Sequence, residues 1–231
     1  MTRRTGLIAA LDTADVQQAR RWAAAVAPSC GMVKLGLEFF LANGADGVRA
    51  LGASAVFLDL KLHDIPNTVA GAVRAVLPLR PRLLTLHAAG GAAMLRAARA
   101  AAETAEAARP MLLAVTVLTS LDAAALHAGG VAGTPADQVL RLARLALASG
   151  ADGLVCAPLE VAMLRAALGD GPLLVVPGIR PEGTATDDQA RTLAPRAAAS
   201  AGADWLVVGR PITQAADVRA AAARIAAEIA A

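Results

Sequence analysis

The chain has 231 residues with 22 basic and 19 acidic side chains, a net charge of +3, and only 2% aromatic residues with no tyrosine. So few rings and so small a charge leave no stacking platform for single-stranded nucleic acid, and suit an anionic small molecule better than a polynucleotide. The length admits one large α/β domain, and no linker or charge block divides it, so residues 1–231 are read as a single domain.

The longest apolar runs, such as Met111–Leu118, fall well short of the roughly 20 residues a membrane helix needs. The N-terminus is basic like a signal peptide, but Asp12 interrupts before an apolar core can form, and a cytoplasmic protein is expected. Cys30 and Cys156 stand far apart with no C-x-x-C pairing and read as free buried thiols.

Strand-like runs recur along the chain: Leu7–Leu11, Met32–Gly36, Ala55–Leu60, Leu83–His87, Met111–Leu118, Gly153–Cys156, Leu173–Val176 and Trp205–Val208. Each is close to continuously apolar, as expected of parallel strands covered on both faces, and each precedes an Ala/Arg/Leu stretch of helical period. Thr134-Pro135 and Asp64-Ile65-Pro66 place a capping residue and a proline near helix starts, and Gly52, Gly150 and Gly202 lie just past helix ends. Gly150-Ala151-Asp152 and Gly202-Ala203-Asp204 each introduce a strand, a weak internal repeat. Eight βα units in this length predict a (β/α)₈ barrel of the TIM type. A doubly wound open sheet is the alternative, and the lack of G-x-G-x-x-G after the first strand counts against it.

Barrel chemistry gathers at the C-terminal strand ends, so the polar residues there are the candidates. Asp12 ends the first run and Lys34 lies in the second; the third ends in Asp59-Leu60-Lys61-Leu62-His63-Asp64-Ile65-Pro66-Asn67-Thr68. Asp59 and Lys61, two apart, are expected to project to the same side of a strand, within reach of Lys34. Lys34 and Lys61 are the only lysines beside 20 arginines, and lysine, unlike arginine, can be tuned to hand over a proton. Alternating ammonium and carboxylate groups give each charge a partner and fix its protonation; a purely structural cluster is costly to bury and replaceable by apolar packing. After the seventh and eighth runs come Pro177-Gly178-Ile179-Arg180-Pro181 and Gly209-Arg210-Pro211-Ile212, where barrel enzymes often bind phosphate through glycine amides and arginine forks. His63, His87 and His127 lie in different units without metal-ligand spacing, and His63 is read as structural. No G-x-S-x-G nucleophile motif occurs.

The run Asp59–Thr68, with Pro177-Gly178-Ile179-Arg180 and Val208-Gly209-Arg210-Pro211-Ile212, resembles the motifs of the orotidine 5′-monophosphate decarboxylase family, over nearly the whole chain. The ten-residue run is highly specific, whereas the glycine-arginine motifs alone are not. The resemblance implies that Lys61 protonates C6 of the pyrimidine, that Asp59 sits against the departing carboxylate, and that Lys34 and Asp64 complete the charge array. It further implies a homodimer in which Asp64 and Thr68 reach in from the partner subunit, with no cofactor and no metal. Asp12 is assigned to the ribose, Thr119 to the pyrimidine, Gln189 to phosphate and base, and Arg180, Gly209 and Arg210 to the phosphate region. Val176 departs from the family pattern, in which a hydroxyl residue often stands. Two other readings stay open: a metal-dependent sugar-phosphate decarboxylase or aldolase of the same superfamily, which carries an acidic residue where this chain has Lys34, and a non-catalytic barrel that binds a phosphorylated ligand.

Overall fold

The computed structural model describes residues 5–181 and 192–230. Its strands are β1 (Gly6–Ala10), β2 (Met32–Gly36), β3 (Val56–Leu62), β4 (Leu83–His87), β5 (Met111–Val115), β6 (Gly153–Val155), β7 (Leu173–Val176) and β8 (Trp205–Val208). They pair in parallel with their sequence neighbours, and β1 closes on β8 to make a barrel. The outer ring is built from α1 (Val16–Val26), α2 (Leu37–Leu51), α3 (Pro66–Val76), α4 (Gly91–Glu103), α5 (Ala123–Ala128), α6 (Pro135–Ala148), α7 (Val161–Leu168), α8 (Pro195–Ser200), α9 (Arg210–Thr213) and α10 (Val218–Ala230).

Strand alternation divides the apolar residues into two layers. Ile8, Met32, Phe57, Leu83, Leu113, Val175 and Val207 fill the barrel. Leu7, Leu35, Leu58, Leu84, Leu112, Leu174 and Leu206 pack outward beneath the helices. Most residues on both faces of the strands are thus buried, which is why the runs are nearly continuously apolar.

Four strands, β2, β4, β7 and β8, match the runs read from sequence, while β5 stops at Val115 and β6 at Val155. Asp12 does not end β1 but lies two residues beyond it, after Leu11 extends the pairing through its N–H to the Lys34 carbonyl at 3.0 Å. Thr134 caps α6 as expected, in a reciprocal box with Asp137. Asp64 does not cap α3: Ile65 holds that position, and Asp64 Oδ1 accepts from the Ile65 N–H instead. Neither cysteine forms a disulfide; Cys156 is buried and Cys30 partly so, and burial pushes the Cys30 thiol up to about 12, which disfavours the reactive thiolate.

The repeated Gly-Ala-Asp segments build the same device twice at the N-terminal rim. Asp152 accepts the Leu112 N–H of β5 at 2.7 Å and pairs with Arg109 (2.7 and 2.9 Å) and Arg99 (3.1 Å). Asp204 accepts the Leu174 N–H of β7 at 2.7 Å and pairs with Arg165 at 2.6 Å. Arg99 also donates to the Gly150 carbonyl and Arg165 to that of Gly202. Each glycine has φ near +100° (95° and 106°) and lies under its arginine's stem, so a Cβ there would be strained and crowded.

Burial pushes the Asp152 carboxyl up, but the Arg109 bonds and the Leu112 N–H outweigh it and hold it below the ordinary range. A depressed carboxyl stabilises the fold above its unfolded value of about 3.9 and loses that contribution as pH falls through the folded value. Asp152→Ala is therefore expected to lower the unfolding free energy by about 2–3 kcal/mol at neutral pH. In urea titrations the gap to wild type should narrow below about pH 4. A gap that does not change with pH would mean the loss is packing alone.

Candidate active site

The C-terminal ends of the strands surround a pocket whose charged bank, following β1 to β3, is Asp12, Lys34, Asp59 and Lys61, and whose lining also includes Thr119, Pro177, Gly178, Arg180, Gly209 and Arg210 from the segments after β5, β7 and β8. Because β8 pairs with β1, Gly209 lies beside Asp12: a Cβ there would sit 3.7 Å from Asp12 Oδ2. Apolar side chains, including Phe57, Val115, Val155 and Val207, complete the lining. A ligand here meets alternating charge, two arginines and a dry wall.

The charged bank is a continuous chain. Lys34 Nζ lies 3.0 Å from Asp12 Oδ1 and 3.5 Å from Asp59 Oδ2. Lys61 Nζ lies 2.9 Å from both Asp59 oxygens. The register places these groups, with Ala10 beside Lys34 and Gly36 beside Asp59 across the first three strands. Gly36 leaves the needed space, since a Cβ there would sit 3.2 Å from Lys34 Nζ and 3.3 Å from Asp12 Oδ1.

Burial alone would push Lys34 down, but the carboxylates of Asp59 and Asp12 outweigh it and hold the ammonium above its ordinary value. Burial would likewise push Asp59 up, but Lys34 and Lys61 outweigh it and hold its carboxyl below the usual range. Both inner members therefore stay charged across neutral pH. Lys34 and Asp59 expose only 11% and 12% of their side chains and Lys61 31%, so Lys61 is the ammonium a ligand can meet.

Lys61 does not reach Asp59 by simple strand alternation. Leu58 pairs with Leu84 and Leu62 with Leu86, so β3 spends two more residues than β4 over that interval, and Lys61 adopts φ +46°. This bulge, which the sequence does not announce, turns the Lys61 side chain back over Asp59. Thr85, fully buried on β4, holds it: the Lys61 N–H donates to Thr85 Oγ1 at 2.9 Å, and Thr85 Oγ1 donates to Asp59 Oδ1 at 3.0 Å. Sequence reasoning passed over Thr85; its one signal is a lone hydroxyl within the apolar run Leu83–His87.

Asp64 and Thr68 do not join the pocket of their own chain; both are exposed, Asp64 on the segment that leads into α3 and Thr68 in the first turn of α3. Gln189 lies outside the described residues. His63 stacks on His87 with ring centroids 5.2 Å apart, in keeping with a structural role. Burial, then His63 and Lys61, push His87 below its ordinary value, so its ring is neutral beside the array.

The Orotidine 5′-phosphate decarboxylase / HUMPS family model matches residues 5–225. The chain is 56% identical to the orotidine 5′-phosphate decarboxylase of Gluconobacter oxydans (strain 621H), over 100% of this chain and 99% of that protein. It is also 56% identical to the enzyme of that name from Thermobifida fusca (strain YX), over 95% and 94%. Among solved structures, orotidine 5′-phosphate decarboxylase from Lactobacillus acidophilus superimposes with a TM-score of 0.85 at 38% identity, covering 98% of this chain and 100% of that one. Barrel, charge array and near full-length likeness agree, and the chain belongs to the orotidine 5′-phosphate decarboxylase / HUMPS family.

Proposed function

We infer that the protein converts orotidine 5′-monophosphate to uridine 5′-monophosphate in pyrimidine biosynthesis, as a carbon–carbon lyase without cofactor or metal. The single observation that carries this reading is the Asp12–Lys34–Asp59–Lys61 chain, buried at Lys34 and Asp59, in the pocket that Arg180 and Arg210 also line. The enzyme works as a cytoplasmic homodimer of single-domain chains spanning residues 1–231.

Loss of CO₂ from C6 leaves the bond's electron pair in an sp² orbital that the ring cannot delocalise, so the stabilisation is electrostatic. Lys61, held by Asp59, presents its ammonium to the developing carbanion and then gives it a proton, forming the C6–H bond. The neutral amine recovers its proton from solvent, to which it is partly open. Asp59, kept ionised by its two lysines, faces the substrate carboxylate, and departure of CO₂ relieves that like-charge contact. Lys34 fixes Asp12 and Asp59; Asp12 takes the ribose and Thr119 the base. Arg180, Gly209, Arg210 and Gln189 take the phosphate and the adjoining base edge, and Asp64 and Thr68 enter from the partner subunit.

Purified protein should bleach the orotate absorbance of orotidine 5′-monophosphate, with release of one CO₂, and should do so after exhaustive chelation. Activity that vanishes with chelation and returns with Mg²⁺ would favour the metal-dependent sugar-phosphate reading, which Lys34 opposes by placing an ammonium between the two carboxylates.

Arg210→Ala is expected to lower kcat/KM by about 2–4 kcal/mol, the worth of a charge-assisted fork on phosphate. Because binding energy remote from the reacting carbon can be realised in the transition state, kcat should fall along with affinity. Steady-state kinetics at matched protein fold would expose an effect confined to yield, which would make Arg210 structural.

A further inference from the structure

The catalytic ammonium and its carboxylate partner are held by an element outside β3. The Thr85 hydroxyl lies inside the barrel, fully buried, and uses both of its capacities: it accepts from the Lys61 main-chain N–H and donates to Asp59 Oδ1. The direction is fixed, since an amide has only a proton to give and an ionised carboxylate only lone pairs. Asp59 in turn accepts from Lys61 Nζ at both oxygens. The result is a closed ring, from the Lys61 amide through the Thr85 hydroxyl to the Asp59 carboxylate and back to the Lys61 ammonium.

The ring answers a problem the bulge creates. With φ at +46°, the lysine occupies backbone space that non-glycine residues seldom adopt, and its N–H finds a side-chain oxygen rather than a strand carbonyl. Such a conformation persists only where its surroundings over-determine it. Valine has nearly the shape of threonine, so packing alone does not call for a hydroxyl at this apolar level of the barrel. We propose that Thr85 is a positioning residue of the reaction centre, whose hydroxyl locks the β3 bulge and thereby aims the Lys61 ammonium over Asp59 toward the substrate. It touches neither substrate nor reacting atoms and acts through Lys61 and Asp59.

The inference rests on the decarboxylase reading for its kinetic test. Thr85→Val removes the hydroxyl at nearly constant shape, and kcat for orotidine 5′-monophosphate should fall on the order of 10–100-fold, the worth of a hydrogen bond to a charged group. KM should stay within about threefold, because the phosphate end is untouched. Thr85→Ser should recover most of the lost rate. A structural threonine would show the opposite pattern: lower melting temperature, unchanged kcat per site titrated with a tight inhibitor, and no special rescue by serine. A Thr85→Val enzyme with kcat within twofold of wild type, or a Thr85→Ser enzyme as slow as the valine variant, overturns the proposal.

Amide hydrogen exchange supplies a second readout that needs no turnover. The Lys61 amide should be protected at least ~100-fold in wild type and lose that protection in Thr85→Val; an unprotected amide in wild type also overturns the lock. If wild type fails to turn over, the decarboxylase reading falls and the lock is judged on exchange alone. If Thr85→Val does not fold, wild-type exchange and the serine variant's kinetics decide.

Discussion

Lys61→Ala should lose turnover by on the order of 10⁴-fold or more while a nucleotide analogue of the product still binds, because in the proposed mechanism one side chain both stabilises the carbanion and delivers the proton. The phosphate grip proposed for Arg180 and Arg210 belongs to other residues of the pocket and is left intact. Alanine must adopt the same left-handed backbone as the lysine it replaces, so the substitution removes the ammonium without adding strain. Lys61→Arg should fail as well. A guanidinium is too weak an acid to protonate carbon on demand, and its planar fork cannot occupy the compact position 2.9 Å from both Asp59 oxygens without displacing the ligand. Rapid-quench or spectrophotometric kinetics with calorimetric binding separates the two effects. An arginine variant with near-normal kcat would remove Lys61 from the proton-donor role.

Mixing two dead variants should restore activity if subunits share their sites. Asp64 is exposed and outside its own pocket, and its neighbour Ile65, with Leu37 and Leu41, leaves large apolar side chains open to solvent on the same rim of the barrel. In the proposed isologous dimer each chain would lend Asp64 to the Lys61 of the other. Lys61→Ala and Asp64→Ala homodimers should each be nearly inactive. After exchange, a heterodimer has one doubly altered site and one with both wild-type residues. Random exchange of equal amounts makes about half the dimers mixed, so activity should return to about a quarter of wild type. If Asp64 serves its own chain, every site carries one lesion and nothing returns. Proven exchange without recovery would thus confine Asp64 to its own subunit.

The parts of the molecule that were readable in the sequence are those fixed by burial and alternation. Met32–Gly36, Leu83–His87, Leu173–Val176 and Trp205–Val208 stood out because both faces of these strands are dry, and Asp12, Lys34, Asp59 and Lys61 stood out as charges at the ends of such runs. What stayed hidden depends on local geometry that residue type does not dictate. Nothing in Asp59-Leu60-Lys61 signals φ +46°, because the bulge arises from the register of β3 against β4. Asp64 before Ile65-Pro66 looks like a helix cap, yet proline at the first helical position moves the cap to Ile65. The Gly-Ala-Asp repeat was visible as a pattern, but its meaning lies in Arg99, Arg109 and Arg165, which come from distant segments.

The two lysines of the chain both line one pocket, and every other basic side chain is an arginine. An amine-selective acylating reagent therefore meets, apart from the α-amino terminus, no side-chain target outside that pocket. Of the two, Lys34 is sealed between carboxylates and Lys61 is partly open, so modification should follow occupancy of the pocket stoichiometrically. In most proteins such labelling is diluted over a lysine-rich surface; here it amounts to a count of vacant pockets, usable on the unaltered protein.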